Sequence, residues 1–321
     1  MLDTDDLRFF VAVAASPSLA AAARSLNVSP PAVTQRLRGL ETRLRVHLVD
    51  RSGRGLTLTD EGELLAERGR DLLGAFDDLN DALAERVGAV TGHLRIVAPL
   101  GFGRRHVAPV VAAFRTRHPG VRIDLLLSDR LGRIPSETWD LAIHVGEIRE
   151  ATPSLTVRAL APNERILCAS PAYLTRHPAP RRPAELRDHT CIALRENDED
   201  VTLWRFRAVD GAEERVRVDA GLVSNDGDVV RGWALAGLGV IVRSEWDVAD
   251  DLRAGRLTRL LEGYALPSAP VVALLGSERR SRAARTERFL EALRRSFDPL
   301  PWRAPRDPDG VARDPGPLRP G

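Results

Sequence analysis

The chain has little of several residue types, and each shortage excludes a class of protein. Its 321 residues include two cysteines, Cys168 and Cys191, too few for a disulfide framework and outside any CxxC or Cys/His cluster of a zinc finger. No stretch approaches the ~18 uninterrupted apolar residues of a membrane span. The N-terminus is acidic where a signal peptide has a basic start. We therefore expect a cytoplasmic protein without a membrane partner.

Lysine is absent, so the 47 lysine or arginine positions are all arginine. The net charge of +2 hides a local excess, because six arginines stand against two acidic residues between Thr34 and Leu56. Such an excess is typical of a surface that faces phosphate. The use of arginine alone is better explained by a GC-rich coding preference than by selection for guanidinium chemistry.

The motifs of common enzymes are missing. The sequence has no GxSxG, HExxH or phosphate-loop pattern, and its seven histidines show no metal-ligand spacing. The glycine pairs in GFGRRH and AGLGV lack the third glycine and the later acidic residue of a dinucleotide-binding fold. We expect no catalytic residue, no cofactor and no metal, and we expect Cys168 and Cys191 to be buried, inert thiols.

The first sixty residues have the pattern of packed helices followed by a hairpin. An alanine-rich helix follows Ser18, a plausible N-cap, and the next helix opens at Pro30 and Pro31, where a missing N–H has no intrahelical partner to lose. At 100° per residue its inward stripe is Val33, Leu37, Leu40 and Leu44, and its outward side is Pro31, Gln35, Arg38 and Thr42, flanked by Thr34. A polar, cationic outer face on the second helix is typical of a helix-turn-helix that enters the major groove of DNA.

Residues 46–59 alternate apolar and polar side chains around a Ser-Gly-Arg-Gly turn. This alternation predicts a two-stranded wing with Arg51 and Arg54 at its tip. The alternative for the whole segment is a three-helix core whose basic face is simply solvated.

A single long helix is predicted from Asp60 to Val87. Its apolar residues recur at steps of seven, four, three and four, which are coiled-coil steps: Leu65, Leu72, Phe76, Leu79 and Leu83. An apolar seam on so extended a helix needs a partner, so we expect a homodimer. The alternative is that the seam packs against the C-terminal part of the same chain.

After residue 92 the pattern changes to short apolar strands alternating with amphipathic helices, which predicts an α/β fold with parallel strands. Two such units in sequence usually form a hinged pair whose cleft binds a small molecule at the carboxyl ends of the strands. After Asp298 the last 23 residues contain seven prolines and no periodicity, so we expect a disordered tail.

The sequence resembles the LysR-type transcriptional regulators from Leu2 to about Phe297. The helix-turn-helix pattern of that family is present as LAAAARSLNVSPPAVTQRLRGLETRL, and its wing as LVDRSGRGLTLTDEG. The segments RIVAPLGFGRRHVAP, LLSDRL, SNDGDVVRGWALAGLGV and WDVADDLRAGRL are similar to a subgroup that includes regulators of D-malate and related small-acid metabolism.

The resemblance implies a domain order. A winged helix-turn-helix domain at 1–59 is followed by a linker and dimerisation helix with its hinge at 60–91. A two-lobed, periplasmic-binding-protein-like effector domain spans 92–298, with lobe I at 92–161 and 269–298 and lobe II at 162–268. The remaining residues, 299–321, are the expected proline-rich disordered tail.

The resemblance also implies two sets of site residues. The DNA-binding set is Pro30, Pro31, Thr34, Gln35, Arg38, Arg51 and Arg54. The effector-binding set is Pro99, Leu100, Gly101, Phe102, Ser128, Asp129, His144, Val145, Gly146, Asn225, Asp226 and Gly227. Glycines at a strand end let backbone N–H groups face an anionic ligand.

The expected partners are double-stranded DNA with an interrupted palindromic operator, a small organic-acid effector, a second copy or a tetramer of the chain, and RNA polymerase. The alternative hypothesis is a cytosolic α/β enzyme whose N-terminal helices mediate assembly alone. The outward pair Gln35 and Arg38 together with the wing arginines favours the regulator.

Overall fold

The computed structural model describes residues 2–50, 56–86, 90–130, 134, 138–148, 155–195, 201–276 and 283–303. The chain divides into two compact units, Met1–Ala89 and Val90–Gly321. No helix within the described ranges has both the length and the hydropathy to cross a membrane.

The first unit is helical with a small sheet. Its helices are α1 (Thr4–Ala14), α2 (Leu19–Ser25), α3 (Pro30–Leu44) and α4 (Asp60–Arg86), and its strands are β1 (Val49–Asp50) and β2 (Thr57–Leu58). Side chains cap three of the helix starts, because Asp3, Ser18 and Ser29 accept hydrogen bonds from the backbone three residues on. The predicted N-cap at Ser18 is confirmed.

The core of the first unit lies between α1 and α3. Phe10 and Val13 of α1 are fully buried together with Val33 and Leu37 of α3. Two buried carboxylates fix the chain around this core. Asp6 pairs with Arg43 at 2.5 Å, and Oε1 of Glu41 accepts a hydrogen bond from the Leu48 backbone N–H at 2.9 Å. The predicted inward stripe of α3 is therefore confirmed, and the opposite side of the helix is left to solvent.

Strands β1 and β2 pair antiparallel, with Val49 opposite Leu58 and Asp50 opposite Thr57. The two-stranded wing that the alternation predicted is thus present. Its tip, with Arg51 and Arg54, lies outside the described residues.

The second unit contains two mixed sheets and a smaller one. The strands are β3 (Gly92–Ala98), β4 (Val121–Leu127), β5 (Leu141–Val145), β6 (Thr156–Ala161), β7 (Arg165–Ala169), β8 (Cys191–Leu194), β9 (Leu203–Ala208), β10 (Glu213–Arg217), β11 (Ala220–Ser224), β12 (Val240–Ser244), β13 (Thr258–Arg259), β14 (Tyr264–Ala265) and β15 (Val271–Leu275). The first sheet has the strand order β4-β3-β5-β15-β6, the second β11-β8-β12-β7-β13 and the third β10-β9-β14.

The helices of the second unit pack on these sheets. They are α5 (Leu100–Phe102), α6 (Ala108–Arg117), α7 (Pro171–Leu174), α8 (Gly227–Leu235), α9 (Glu245–Arg253) and α10 (Ala284–Ser296). A π-helical turn at Gly103–Val107 joins α5 to α6.

The parallel pairing predicted for the first βαβ unit is confirmed, and both larger sheets are mixed. Strand β3 pairs parallel with β4 and β5, as the βαβ pattern predicts, but β15 pairs antiparallel with β5 and β6. Strand β15 follows β14 of the third sheet rather than a crossover helix, so the βαβ geometry does not set its direction. The first sheet, with α5, α6 and α10, forms lobe I, and the second and third sheets, with α7, α8 and α9, form lobe II.

The tail predicted to be disordered from residue 299 is folded at its start. Trp302 is 3% exposed, and its ring lies 5.8 Å from that of Phe297 and 6.3 Å from that of Phe102. Its carbonyl accepts a hydrogen bond from Arg253 of α9, and Arg303 makes a bidentate pair with Glu245. One buried indole is a large enough apolar surface to fix so short a segment, which proline content does not reveal. Residues 304–321 lie outside the described ranges.

We expect Trp302→Ala to lower the free energy of unfolding of the second unit by about 3 kcal/mol, because the substitution empties a buried aromatic site. Urea denaturation followed by circular dichroism measures the change. A chain that ends at Arg303 retains the indole and should unfold like the full chain, whereas one that ends at Asp298 should match the alanine variant. Equal stability of all four proteins would contradict the packing of this segment.

Candidate functional site

The outward side of α3 is an exposed surface with little internal bonding. Pro30, Pro31, Gln35 and Arg38 are exposed and Thr34 is half-buried. The Thr34 hydroxyl donates to the Pro30 carbonyl at 3.1 Å, so its hydrogen is used within the helix. Neither Gln35 nor Arg38 has a side-chain partner among the described residues. Both side chains are thus available to an external ligand.

Other arginines of the basic stretch are occupied within the protein. The Arg36 guanidinium lies 4.6 Å from the centroid of the Phe9 ring and donates to the Asp5 carbonyl, and Arg43 pairs with Asp6. The charge excess therefore overstates the surface that can meet phosphate. Val28, which sequence reasoning missed, is 48% exposed in the turn before α3. Only its place next to the N-cap could have indicated it.

Part of the seam predicted on α4 is bare. Leu72, Phe76, Leu79 and Leu83 are each between 43% and 58% exposed, and they fall within an arc of about 60° around the helix. The same stripe is covered further towards the N-terminus. There, a Cβ at Gly69 would lie 3.3 Å from side-chain atoms of Leu7 and Val11 on α1. The bare part covers about 16 Å of helix.

The second unit has a cleft between its two lobes. A cavity of about 360 Å³ opens there, within the size range of small-molecule sites. Six of the predicted effector residues line it: Pro99, Ser128, Asp129, His144, Val145 and Gly146.

The other six predicted effector residues are not among the described residues that line the cavity. Leu100, Gly101 and Phe102 belong to α5, which turns into lobe I, so Phe102 is fully buried in the core. A Cβ at Gly101 would lie 3.2 Å from the Trp246 ring. Asn225, Asp226 and Gly227 lie where α8 begins.

The residues at the start of α8 link the lobes. Asn225 donates to Oδ2 of Asp129 at 2.8 Å. Asp226 caps α8 by accepting from the Asp228 N–H and also pairs with Arg104 at 3.3 Å. These contacts hold the two lobes together beside the cavity.

The predicted effector set contains none of the lobe II residues that line the cavity, and it also leaves out Glu147 of lobe I. The missed charged and polar residues are Glu147, Arg165, Trp204, Arg205, Arg243, Ser244, Trp246 and Ser268. A usable signal existed for Arg243, because it is the one charged residue of the strand Val240–Ser244, follows three apolar residues and lies near the carboxyl end of the strand. The arginines of the wall outnumber its carboxylates, which are Asp129 and Glu147, so the cavity favours an anion.

Both cysteines are free, fully buried thiols. Burial raises the pKa of Cys168 to about 12 and that of Cys191 to about 12. The expectation of buried thiols is confirmed, and their raised pKa values disfavour a redox switch. Among the described residues, no cluster of three or more histidine, cysteine or acidic side chains could hold a metal ion.

We expect neither thiol of the native protein to react with an aromatic disulfide reagent at about pH 8. A pKa of about 12 leaves almost no thiolate at the pH of the assay, and burial excludes the reagent. Absorbance of the released thiolate measures the reaction, and the same protein in urea should release two equivalents. A thiol that reacts within minutes in the native protein would contradict the burial.

Comparison with known proteins gives family models for both units. A model of the bacterial regulatory helix-turn-helix protein, lysR family, matches residues 4–63, and one of the LysR substrate binding domain matches residues 88–298.

Two curated relatives cover nearly the whole chain. The transcriptional regulator DmlR of Escherichia coli is 36% identical over 91% of this chain and 94% of its own length. The transcriptional regulator PtxR of Pseudomonas aeruginosa is 33% identical over 94% of this chain and 95% of its own length.

Two full-length solved structures are also similar. CrgA of Neisseria meningitidis, a LysR-type transcriptional regulator, superposes with a TM-score of 0.56 at 26% identity, over 91% of this chain and 99% of its own. The virulence activator AphB of Vibrio cholerae superposes at 0.61 over 91% and 98% of the two chains; at 24% identity it supports the fold alone.

Proposed function

The chain belongs to the LysR family of bacterial transcriptional regulators, and we propose that it is a dimeric or tetrameric regulator that senses a small organic acid. DNA binding through the helix-turn-helix domain and an effector-binding domain come with the family. Family membership also removes the enzyme alternative. The observation that carries the proposal is the outward face of α3, where Gln35 and Arg38 have no partner in the described part of the chain.

We assign base reading to α3. A glutamine pairs bidentately with adenine, an arginine pairs bidentately with guanine, and a threonine methyl suits thymine. The Thr34 hydroxyl is already bonded to Pro30, which supports contact through its methyl group. Pro30 and Pro31 extend this surface, and Arg51 and Arg54 of the wing bind the DNA backbone, which fixes the register without reading sequence.

We assign residues 1–59 to DNA binding, 60–91 to the linker helix and hinge, and 92–298 to the effector domain. The bare stripe on α4 supports a homodimer, because four large apolar side chains on one narrow arc are costly to leave in water. A dimer would read an interrupted palindrome, since the two recognition helices repeat with the symmetry of the protein. On a promoter, RNA polymerase is the expected further partner, and the site of action is the cytoplasm.

The organic-acid effector is supported by the arginine-rich wall of the cleft and by the resemblance of the chain to regulators of small-acid metabolism. An effector can change regulation only through its different affinity for two states of the protein, typically by about 1–3 kcal/mol. A cleft between two linked lobes offers such states, because its opening and closing change the contacts to the ligand.

We expect Arg38→Ala to weaken binding to the cognate operator by about 1–3 kcal/mol and to relax specificity at one base pair. A gel shift with DNA from upstream of the protein's own gene, at moderate salt, followed by footprinting, measures both effects. Arg70→Ala on α4 is the control, since it removes the same charge from an exposed site off the α3 face. An unchanged footprint and affinity for Arg38→Ala would reject the assignment.

We expect the double substitution of Leu72 and Leu79 by glutamate to raise the dimer dissociation constant by at least about 100-fold, because charge would be buried in an apolar seam. Light scattering across a dilution series measures it. Leu64→Glu is the matched control: this leucine is 57% exposed but lies about 80° from Leu72 around the helix. A double variant that stays fully dimeric would place the interface elsewhere.

A further inference from the structure

We propose that Arg243 is the anion anchor of the cleft, holding one carboxylate of the effector through its two Nη groups. This inference rests on the proposed function in one respect, that the cleft takes an acid. It adds a residue that the sequence pattern of the effector site did not include, and it ties the ligand to the contacts that hold the lobes together.

Arg243 is a buried charge that uses only part of its hydrogen-bonding capacity within the described residues. Arg243 is 6% exposed and lines the cavity. Its Nε donates to Oδ2 of Asp247 at 2.7 Å, and its Nη atoms have no acceptor among the described residues. Buried guanidinium groups are normally saturated with hydrogen bonds, because each donor left without one is costly. A carboxylate in the cavity would supply two acceptors in the fork geometry that arginine prefers.

The guanidinium of Arg243 is held in place before any ligand binds. Asp247, itself 1% exposed, fixes the Nε side. On the other side, a Cβ at residue 227 would overlap the guanidinium, so only glycine leaves room for it. Gly227 is the first residue of α8, whose positive dipole end adds to the potential there. A donor fixed in this way loses little entropy on binding.

Other hydrogen-bond donors line the cavity beside Arg243. The indole N–H of Trp246 is buried and also has no acceptor in the part of the chain that the structure describes. The Ser244 hydroxyl accepts from Asn163 at 3.3 Å, so its own hydrogen remains available to a ligand. Arg165 and Arg205 lie on the same wall and could meet a second carboxylate. The chemistry therefore fits a short dicarboxylate better than a neutral metabolite or a cation.

A chain of charged side chains connects Arg243 to the contact between the lobes. Asp247 Oδ1 lies 3.6 Å from Nε of Arg231, and Arg231 Nη2 lies 3.7 Å from Asp228. Asp228 pairs at 2.6 Å with Arg104 of lobe I. An anion on Arg243 weakens its hold on Asp247 and leaves that carboxylate more fully to Arg231. Ligand binding and the pairing of the lobes thus share the same carboxylates.

The test is isothermal titration of the full chain with succinate and with malate, and with succinamide as an uncharged probe of equal length. We expect the wild type to bind at least one of the two acids and not the amide. Arg243→Gln should weaken acid binding roughly 10- to 100-fold, the usual loss for a charged hydrogen bond. Arg256→Gln is the matched control, because it also removes an arginine paired with a buried carboxylate, Asp251, but it neither lines the cavity nor belongs to this chain of charges, and it should retain affinity within about threefold of the wild type.

Arg243→Lys guards against a folding defect, since it keeps a cation beside Asp247 but lacks the fork. It should fold like the wild type, judged by its thermal transition, and still bind acid more weakly. Unchanged acid affinity in both Arg243 variants, equal binding of succinamide, or no binding of either acid to the wild type would each overturn the proposal. Operator binding without ligand is measured separately, so a failed gel shift would count against the proposed function and not against the anchor.

Discussion

Packing of Trp246 against Phe102 joins the two lobes of the second unit, and the cleft depends on this contact. The two rings meet edge to face with centroids 5.3 Å apart, although Trp246 belongs to α9 of lobe II and Phe102 to the core of lobe I. Trp302 packs on the same cluster from the C-terminal side. Because Trp246 also lines the cavity, the floor of the cleft is continuous with the apolar core. Side chains packed at core density move together, so a ligand that shifts Trp246 shifts both lobes.

Polar contacts beside this core hold the lobes together with much less energy. Arg104 with Asp226 and Asp228 is partly exposed, and such pairs contribute about 0–1 kcal/mol each. Arg105, which pairs with Asp250, adds another contact of this kind. The apolar cluster thus fixes where the lobes meet, and weak ion pairs set how firmly they close. A ligand worth a few kcal/mol can shift a balance of that size, which is what an effector-controlled regulator needs.

The sequence predicts those features that depend on periodicity. The stripe on α3, the N-cap at Ser18 and the parallel pairing of β3 with β4 each follow from a spacing within one segment. The features it misses depend on contacts between distant segments. The resemblance places Phe102 in the cleft, yet α5 turns its side chain into the core of lobe I. Trp302 lies in a proline-rich segment, but its side chain is buried against Phe102, which is 200 residues away in the chain, and Phe297, which is five residues away.

The arginines of this chain differ in what they bind. In a chain without lysine every basic position has the same side chain, so the sequence does not separate charges that hold the fold from charges that meet a ligand. The structure separates them by their partners. Arg36 lies on Phe9 and Arg43 on Asp6, and both serve the core of the first unit. Arg38 has no partner in the described residues, and Arg243 uses Nε alone, so the two keep donors for molecules outside the chain. Desolvating a guanidinium is costly, and a protein that leaves its donors unused gains from the arrangement only when an anion arrives.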